Sequence, residues 1–466
     1  MSTPTVALPA SPTGPIPATA DLDARAIRRI VNRLAWPVIL ENTFQTALGV
    51  VDLALVSRLG ADAIAGVGTA TQLMWVAIAA FAAVATGTTV LVAQAIGAGD
   101  RRRANHATKQ SLLMGVLISV AIAVAVSFTA EQIVAVLGPQ PEVVRLGAIY
   151  LRISAQMSVF FVTMLVAGAA LRGAGDTRSP MVVTGGINII NGLLAYGLIF
   201  GHFGLPAIGV AGSAWGAAGA RMVGCLALLL ILWRGRRPTD IAGRAGWRPN
   251  WPLMRRLLRI GLPAMGEQIV ISGGFLVYGF MVIGLGTAVY AAQRVSFNAV
   301  SISYLPAMGF SIAATTLTGQ RLGAGRPDQA RQTSNYATLA SFVWMTVAGA
   351  VLFLLADQIM LLFTPDRQID TIGAAALRVV AFSQPFFGIS NALAGSLRGG
   401  GDTRFPMVAA VIGMWLVRLP FGWFIGIFLG FGLPGVYVSS TLDAALRSLL
   451  IWRRYRSGKH FKHGLV

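Results

Sequence analysis

Residues 69–92, TATQLMWVAIAAFAAVATGTTVLV, and 181–200, MVVTGGINIINGLLAYGLIF, carry no charged side chain. Runs of this kind recur along the chain. About 20 apolar residues is the length an α-helix needs to cross the hydrocarbon of a bilayer. Lipid offers no hydrogen bonds to a peptide group, so only helices and closed barrels span it. Barrel strands are shorter and alternate apolar with polar residues. The expected class is therefore an all-α polytopic membrane protein. Composition agrees: 55% of the 466 residues are hydrophobic and 12% are charged, against about 25% charged in a soluble domain.

A net charge of +20 would suggest nucleic acid in a soluble protein. Here Lys and Arg lie mostly between apolar runs, which points to the positive-inside rule and to no nucleic-acid partner. Cys225 is the single cysteine, so no intrachain disulfide can form. His106, His202, His460 and His463 fall in loops, segment ends or the tail. That argues against a metal cluster or a histidine proton relay inside the membrane. The first 24 residues are rich in Pro, Ala and Thr and lack the basic and apolar regions of a signal peptide.

The strongest internal feature is a repeat. LRGAGDTRSPMV at 171–182 returns as LRGGGDTRFPMV at 397–408, an offset of 397 less 171, or 226 residues. The same offset carries Arg33, Pro37 and Glu41 onto Arg259, Pro263 and Glu267, Gln94 and Gly97 onto Gln320 and Gly323, and Arg221 onto Arg447. Twelve transmembrane helices are expected, in two six-helix lobes. An even number per copy relates the lobes by a parallel repeat, a pseudo-two-fold along the membrane normal. The domain reading is a disordered tail (1–28), an N-lobe (29–233) whose first helix runs from Leu34 to Val56, a basic linker (234–259), a C-lobe (260–455) and a basic tail (456–466). Arginines cluster in the N-terminal segment, in 101–103, in the linker and in the tail, while the opposite loops offer only Arg58, Arg145 and Arg367. Both termini are therefore expected in the cytoplasm, with the chain in the inner membrane.

Ionisable groups inside apolar spans are costly and mark functional candidates. Asp52 stands alone in GVVDLALV, and its repeat equivalent is Tyr278, so it has no acidic counterpart. Burial disfavours a carboxylate's charged form, which suits Asp52 to loading and releasing a proton. The alternative is a neutral Asp hydrogen-bonded to a neighbouring helix. Glu41 precedes it on the same helix face by about 16 Å, and Pro37 one turn earlier can bend that helix. Glu41 and Glu267 occupy equivalent places and are expected to face the space between lobes as a negative site for a cation. Alternatively, each bonds within its own lobe. Asp443 and Arg447 have the spacing of an intrahelical ion pair. Arg418, in MWLVRLPFGW, needs a partner, an acid or a backbone carbonyl. Asn188 and Asn191 lie mid-span, with Asn191 the better cation-ligand candidate and interhelical bonding the alternative. The Gly-rich GAGDRRRANH and LRGxGDTR stretches lack a phosphate loop's ending and context, and suggest tight turns with local Arg–Asp pairs.

Pro37 with Glu41–Asn42, Asp52 in VVD, the Gln94-x2-GAG run and the two LRGxGDTR stretches resemble the multidrug and toxin extrusion (MATE) transporters, from about Arg29 to Arg456. The resemblance implies two six-helix lobes around a cavity, and export of drugs, often organic cations, in exchange for protons or sodium ions. It makes Asp52 and Asn191 the coupling-ion site and Pro37 the helix-1 hinge, with Glu41, Glu267, Tyr278 and Arg418 as cavity candidates. Two acids of the wider family are missing: the fifth-helix aspartate appears as Ala195, and 379–397 contains none. Those losses resemble the DinF-like, proton-driven branch. The expectation is a non-enzyme with no resident cofactor, an ion gradient as its energy source, and a small-molecule substrate and the lipid bilayer as partners of a monomer. The competing reading is a flippase for lipid-linked precursors, which would want the cationic groups that Arg294 and Arg418 supply.

Overall fold

The computed structural model describes residues 23–136, 140–235, 239–363 and 366–461. Residues 1–22 of the expected N-terminal tail and 462–466 of the C-terminal one lie outside these. The described residues form helices with no strand among them. The first half contains α1 (Ala24–Val56), α2 (Ala61–Gly97), α3 (Arg101–Ala135), α4 (Pro141–Gln156), α5 (Ser158–Gly173), α6 (Arg178–Phe200) and α7 (Val210–Trp233). The second contains α8 (Trp251–Ile283), α9 (Thr287–Ser303), α10 (Leu305–Gly323), α11 (Pro327–Leu354), α12 (Ala356–Phe363), α13 (Arg367–Ala381), α14 (Gln384–Gly399), α15 (Arg404–Val411), α16 (Leu419–Gly422) and α17 (Gly432–Arg456).

The 226-residue offset reappears in the helix ends. It carries Ala61–Gly97 onto Thr287–Gly323, a single span built from α9 and α10, and it carries Pro141 and Gly173 onto Arg367 and Gly399. Two spans expected to be continuous are broken. The α4–α5 pair bends by 50° and its copy α13–α14 by 49°. Nine helices among the described residues are apolar and long enough to cross a membrane, and the bent pairs raise the number to eleven. The remaining segment, α17, has 25 residues, three arginines in its last turn and Asp443 in its interior. It is long enough to span, at about 37 Å, but too polar to qualify by composition.

Local chemistry sets the ends. Gly99 and its copy Gly325 adopt φ values of +74° and +69°, and Gly175 and its copy Gly401 adopt +89° and +86°. A side chain would strain each of these turns. Asp100 then caps α3 by accepting from the Arg103 amide at 2.9 Å, and Asp176, one residue before the N-cap Thr177 of α6, accepts from the Ser179 amide at 3.1 Å. The copy of α6 behaves differently: Ile412–Arg418 and Trp423–Phe428 are π-helical, on either side of α16. Pro420 has no N–H to donate one turn back, so the regular ladder cannot continue through it.

Packing divides the chain into two compact units that do not follow the repeat boundaries everywhere. One unit holds Leu40–Leu262; the other holds the described residues up to Ile39 together with Pro263–Val466. The first half of α1 thus packs in the second unit. Trp36 meets Trp344 at 5.8 Å and Asn32 Nδ2 reaches the Tyr336 hydroxyl at 3.4 Å, and Gly309 of α10 lies against Ala35 and Ile39 with no room for a side chain. The first half of α8 packs in the first unit, where Gly261 closes on Ala83 and Leu257 on Gly87 of α2. These contacts are copies of one another, since the offset carries Ala35 onto Gly261 and Ala83 onto Gly309. The glycine has merely changed sides. α1 also starts ten residues before the expected Leu34, with Ile27, Ile30 and Val31 buried.

Candidate functional site

In the first unit α6 is tied to α1 at two points. Asn188 donates its Nδ2 hydrogen to the Phe44 carbonyl, and Gly185 leaves room for the Phe44 ring. One turn further on, Asn191 Nδ2 donates to Asp52 Oδ1 at 2.7 Å. Asn191 is 1% exposed, and its Oδ1 has no protein partner. An acceptor left bare in this way can take a proton-bearing group or a cation. Arg221 of α7 and Tyr150 of α4 act electrostatically on the same carboxylate. Arg221 lies over the Phe161 ring at 4.9 Å. Ala195, where the resemblance would have placed a second acid, is fully buried. A side-chain carbon on Gly216 would fall 2.7 Å from the Ala195 nitrogen, so α6 and α7 are in backbone contact there. The site is accordingly one carboxylate, one amide and a nearby guanidinium.

The two glutamates are not the open pair that their equivalent positions suggested. Glu41, 5% exposed, is ion-paired to Arg172 at 2.9 Å, and Glu267 to Arg398 at 2.7 Å. Each pair closes within one unit, and the offset carries Glu41–Arg172 onto Glu267–Arg398. The LRG arginines therefore leave their local turns and neutralise the acid that follows each helix proline. Buried carboxylates in an apolar span demand this, and the alternative of bonding within one lobe is the one the geometry realises. Glu41 keeps one oxygen, Oε2, without a partner.

In the second unit Asp443 and Arg447 form the expected i,i+4 pair, at 2.9 Å to each carboxylate oxygen. Arg418 lies 3.8 Å from the same carboxylate. Tyr278, the copy of Asp52, is 1% exposed and packs in the apolar core of its unit, with its hydroxyl 3.3 Å from Ser440 Oγ. Pro37 lies inside α1, and its copy Pro263 inside α8. Both stand beside the points where these helices pass from one unit to the other.

The structure therefore joins Asp52 to Asn191, joins Arg418 to Tyr278, and separates Glu41 and Glu267 into private pairs. The sequence reasoning missed Tyr150, Arg221, Arg172 and Arg398. The last two were readable: each arginine follows its glutamate by 131 residues in both copies. Tyr150 has no such signal, because its copy is Ala376.

Comparison with known proteins gives a consistent result. The MatE family model matches residues 37–197 and 263–424. A Thermotoga maritima protein named probable multidrug resistance protein NorM is 32% identical over 441 residues, covering 94% of each chain. The multidrug resistance protein NorM of Burkholderia vietnamiensis is 30% identical, covering 90% of this chain and 92% of its own. Among solved structures, an outward-facing multidrug resistance MATE transporter of the MOP superfamily superposes with a TM-score of 0.86 at 21% identity, over 93% of this chain and 96% of its own. A MATE structure in the straight conformation gives 0.87 at 22% identity, over 94% and 97%. With both halves matched and relatives of this identity along nearly the whole length, the chain belongs to the MatE family.

Proposed function

We propose that this chain is a secondary active antiporter that exports drugs or other amphiphilic small molecules, cations among them, in exchange for protons. The observation that carries the reading is the Asp52–Asn191 pair: a lone carboxylate in an apolar span, held by a buried amide whose oxygen is unsatisfied. The lack of a carboxylate at Ala195 supports protons over sodium, because a hard cation prefers several oxygen ligands. The names of the NorM relatives support multidrug export. In the proposed cycle Asp52 binds a proton from one side and gives it up on the other, while the substrate takes the opposite path by alternating access. The chain works as a monomer in the inner membrane with both termini cytoplasmic, catalyses no covalent reaction and carries no resident cofactor. The deciding experiment is efflux of a fluorescent organic cation from proteoliposomes under an imposed proton gradient and, separately, a sodium gradient. Efflux driven by protons alone is expected. Efflux driven by sodium alone would reject the coupling ion, and efflux under neither would reject the antiporter.

A further inference from the structure

The second unit buries two arginines against one acid. Arg447 takes Asp443 with both carboxylate oxygens at 2.9 Å. Arg418 approaches no closer than 3.8 Å, outside hydrogen-bonding distance. The rings it packs against are neutral: Phe275 and Tyr278, each 4.8 Å from the guanidinium carbon. Arg418 Nε has no partner, and neither has the hydroxyl of Tyr437, a residue 3% exposed. One positive charge is thus left over inside an apolar span, where charges are ordinarily paired. Ring faces attract the guanidinium but do not neutralise its charge.

The repeat sharpens the contrast. Asp52 and Asn191 of the first unit have Tyr278 and Val417 as copies, and Arg418 is the copy of Gly192. The acid has gone from one copy, and a guanidinium has entered beside the position of the amide. The segment bearing it, Ile412–Arg418, is π-helical where α6 is regular, and π-turns concentrate at functional sites. The guanidinium is also reachable. Its side chain is 12% exposed against 4% for Asp443, and Phe297, 37% exposed, extends the aromatic surface from Phe275 at 5.5 Å.

We propose that Arg418, with Phe275 and Phe297, forms an anion subsite in the second unit that takes the carboxylate of an aromatic, zwitterionic or anionic amphiphile. A carboxylate there makes a charge-assisted bond to the terminal N–H groups of the guanidinium and cancels the surplus charge, while its apolar body lies on the phenyl rings. This extends the exporter reading to substrates bearing an acid group. It rests on that reading only for its consequence, because binding is measured without a gradient.

The test is calorimetric titration of the full detergent-purified chain at pH 7.5 with naphthalene-2-carboxylate and with its neutral isostere naphthalene-2-carboxamide. The wild-type protein is expected to bind the carboxylate at least ~10-fold more tightly. Arg418→Gln is expected to bring the two affinities within about twofold, and Arg418→Lys to keep a reduced preference. Equal affinities in the wild type would overturn the subsite and leave Arg418 a structural cation. That result stands even if Arg418→Gln fails to fold. An unchanged preference in a folded Arg418→Gln variant would also overturn it. Titrations in sulfate buffer with added chloride separate a halide site: displacement of the carboxylate by a few millimolar chloride would overturn the assignment to substrate, and no displacement supports it.

Discussion

Asn191 gives Asp52 a single hydrogen bond, Nδ2 to Oδ1 at 2.7 Å, and in doing so holds α6 against α1 in the first unit. That bond survives protonation of the carboxyl oxygen it does not touch. The pair can therefore exchange a proton without losing its contact, and Asp52→Asn keeps the geometry while removing the charge. The variant is expected to insert and purify normally, yet to lose proton-driven efflux by at least about tenfold, the equivalent of 1.4 kcal/mol. Proteoliposome efflux under a pH gradient checks this. Wild-type rates would move the proton site away from Asp52.

The two Glu–Arg pairs are structural in this reading, and their variants separate stability from transport. Glu41→Gln removes the charge that Arg172 holds at 2.9 Å inside an apolar span, a loss of about 3–5 kcal/mol for a pair this enclosed. Glu267→Gln is expected to cost less, since Arg398 and Glu267 are 20% and 14% exposed against 12% and 7% for Arg172 and Glu41. Glu41→Gln combined with Arg172→Gln should recover part of the loss. Thermal unfolding of the purified proteins gives the order. An Arg172→Gln background in which Glu41→Gln costs as much as before would dissolve the pair.

Pro37 and Pro263 sit where α1 and α8 change units, and neither can donate a hydrogen bond one turn back. Pro37→Ala restores that bond and stiffens the helix. Efflux is expected to slow by about three- to tenfold with Tm unchanged or raised. Unaltered turnover would show that helix 1 does not bend in the cycle.

At the C-terminal end, His460 is buried against Gly400 and the rings of Tyr455 and Phe461. Burial pushes its imidazole down to about 4. A proton then binds the released tail more readily than the docked one, so docking is complete above about 6.5 and weakens as pH falls towards about 4. A cysteine at Ser457, in a chain whose native Cys225 is buried, should label faster at pH 5 than at pH 7.5 after correction for thiolate content. His460→Phe should abolish the difference. A pH-independent ratio in the native tail would exclude the imidazole as its cause.

The same cysteine tests orientation. Ser457→Cys should react with an impermeant maleimide only in inverted vesicles, and a cysteine at Gln140, exposed between α3 and α4, only in right-side-out cells. The reverse pattern would overturn the topology drawn from the arginine-rich segments.

How much of this was legible in the sequence follows from what the repeat could transmit. Helix order, the glycine turns and the isolation of Asp52 in its span came through, because apolar length, positive-φ glycines and lone acids are local signals. The bend after Gln156 did not, since no proline stands there; the bend after Ala381 had a signal in Pro385, which opens α14, and that signal was passed over. The ion pairs of Glu41 and Glu267 depend on a contact between positions 131 apart. A single copy says nothing of it, and only the matched separation in the second copy does. Arg221 and Tyr150 reach Asp52 from two further helices, which no spacing rule along one helix can report.

The exchange of helix halves between the units bears on how the chain is made. A ribosome delivers residues 1 to 233 before any of the second copy, yet the first unit is incomplete until Gly261 has closed on Ala83. Meanwhile the first half of α1, with Ala35 and Ile39, has to wait for Gly309. Neither unit can finish folding as an independent nascent piece, which is the ordinary course for successive domains. A chain divided within 239–250 would yield two fragments, each lacking one helix half of the unit it mainly encodes and carrying one that belongs to the other. Synthesised apart, they could mature only as a complementing pair.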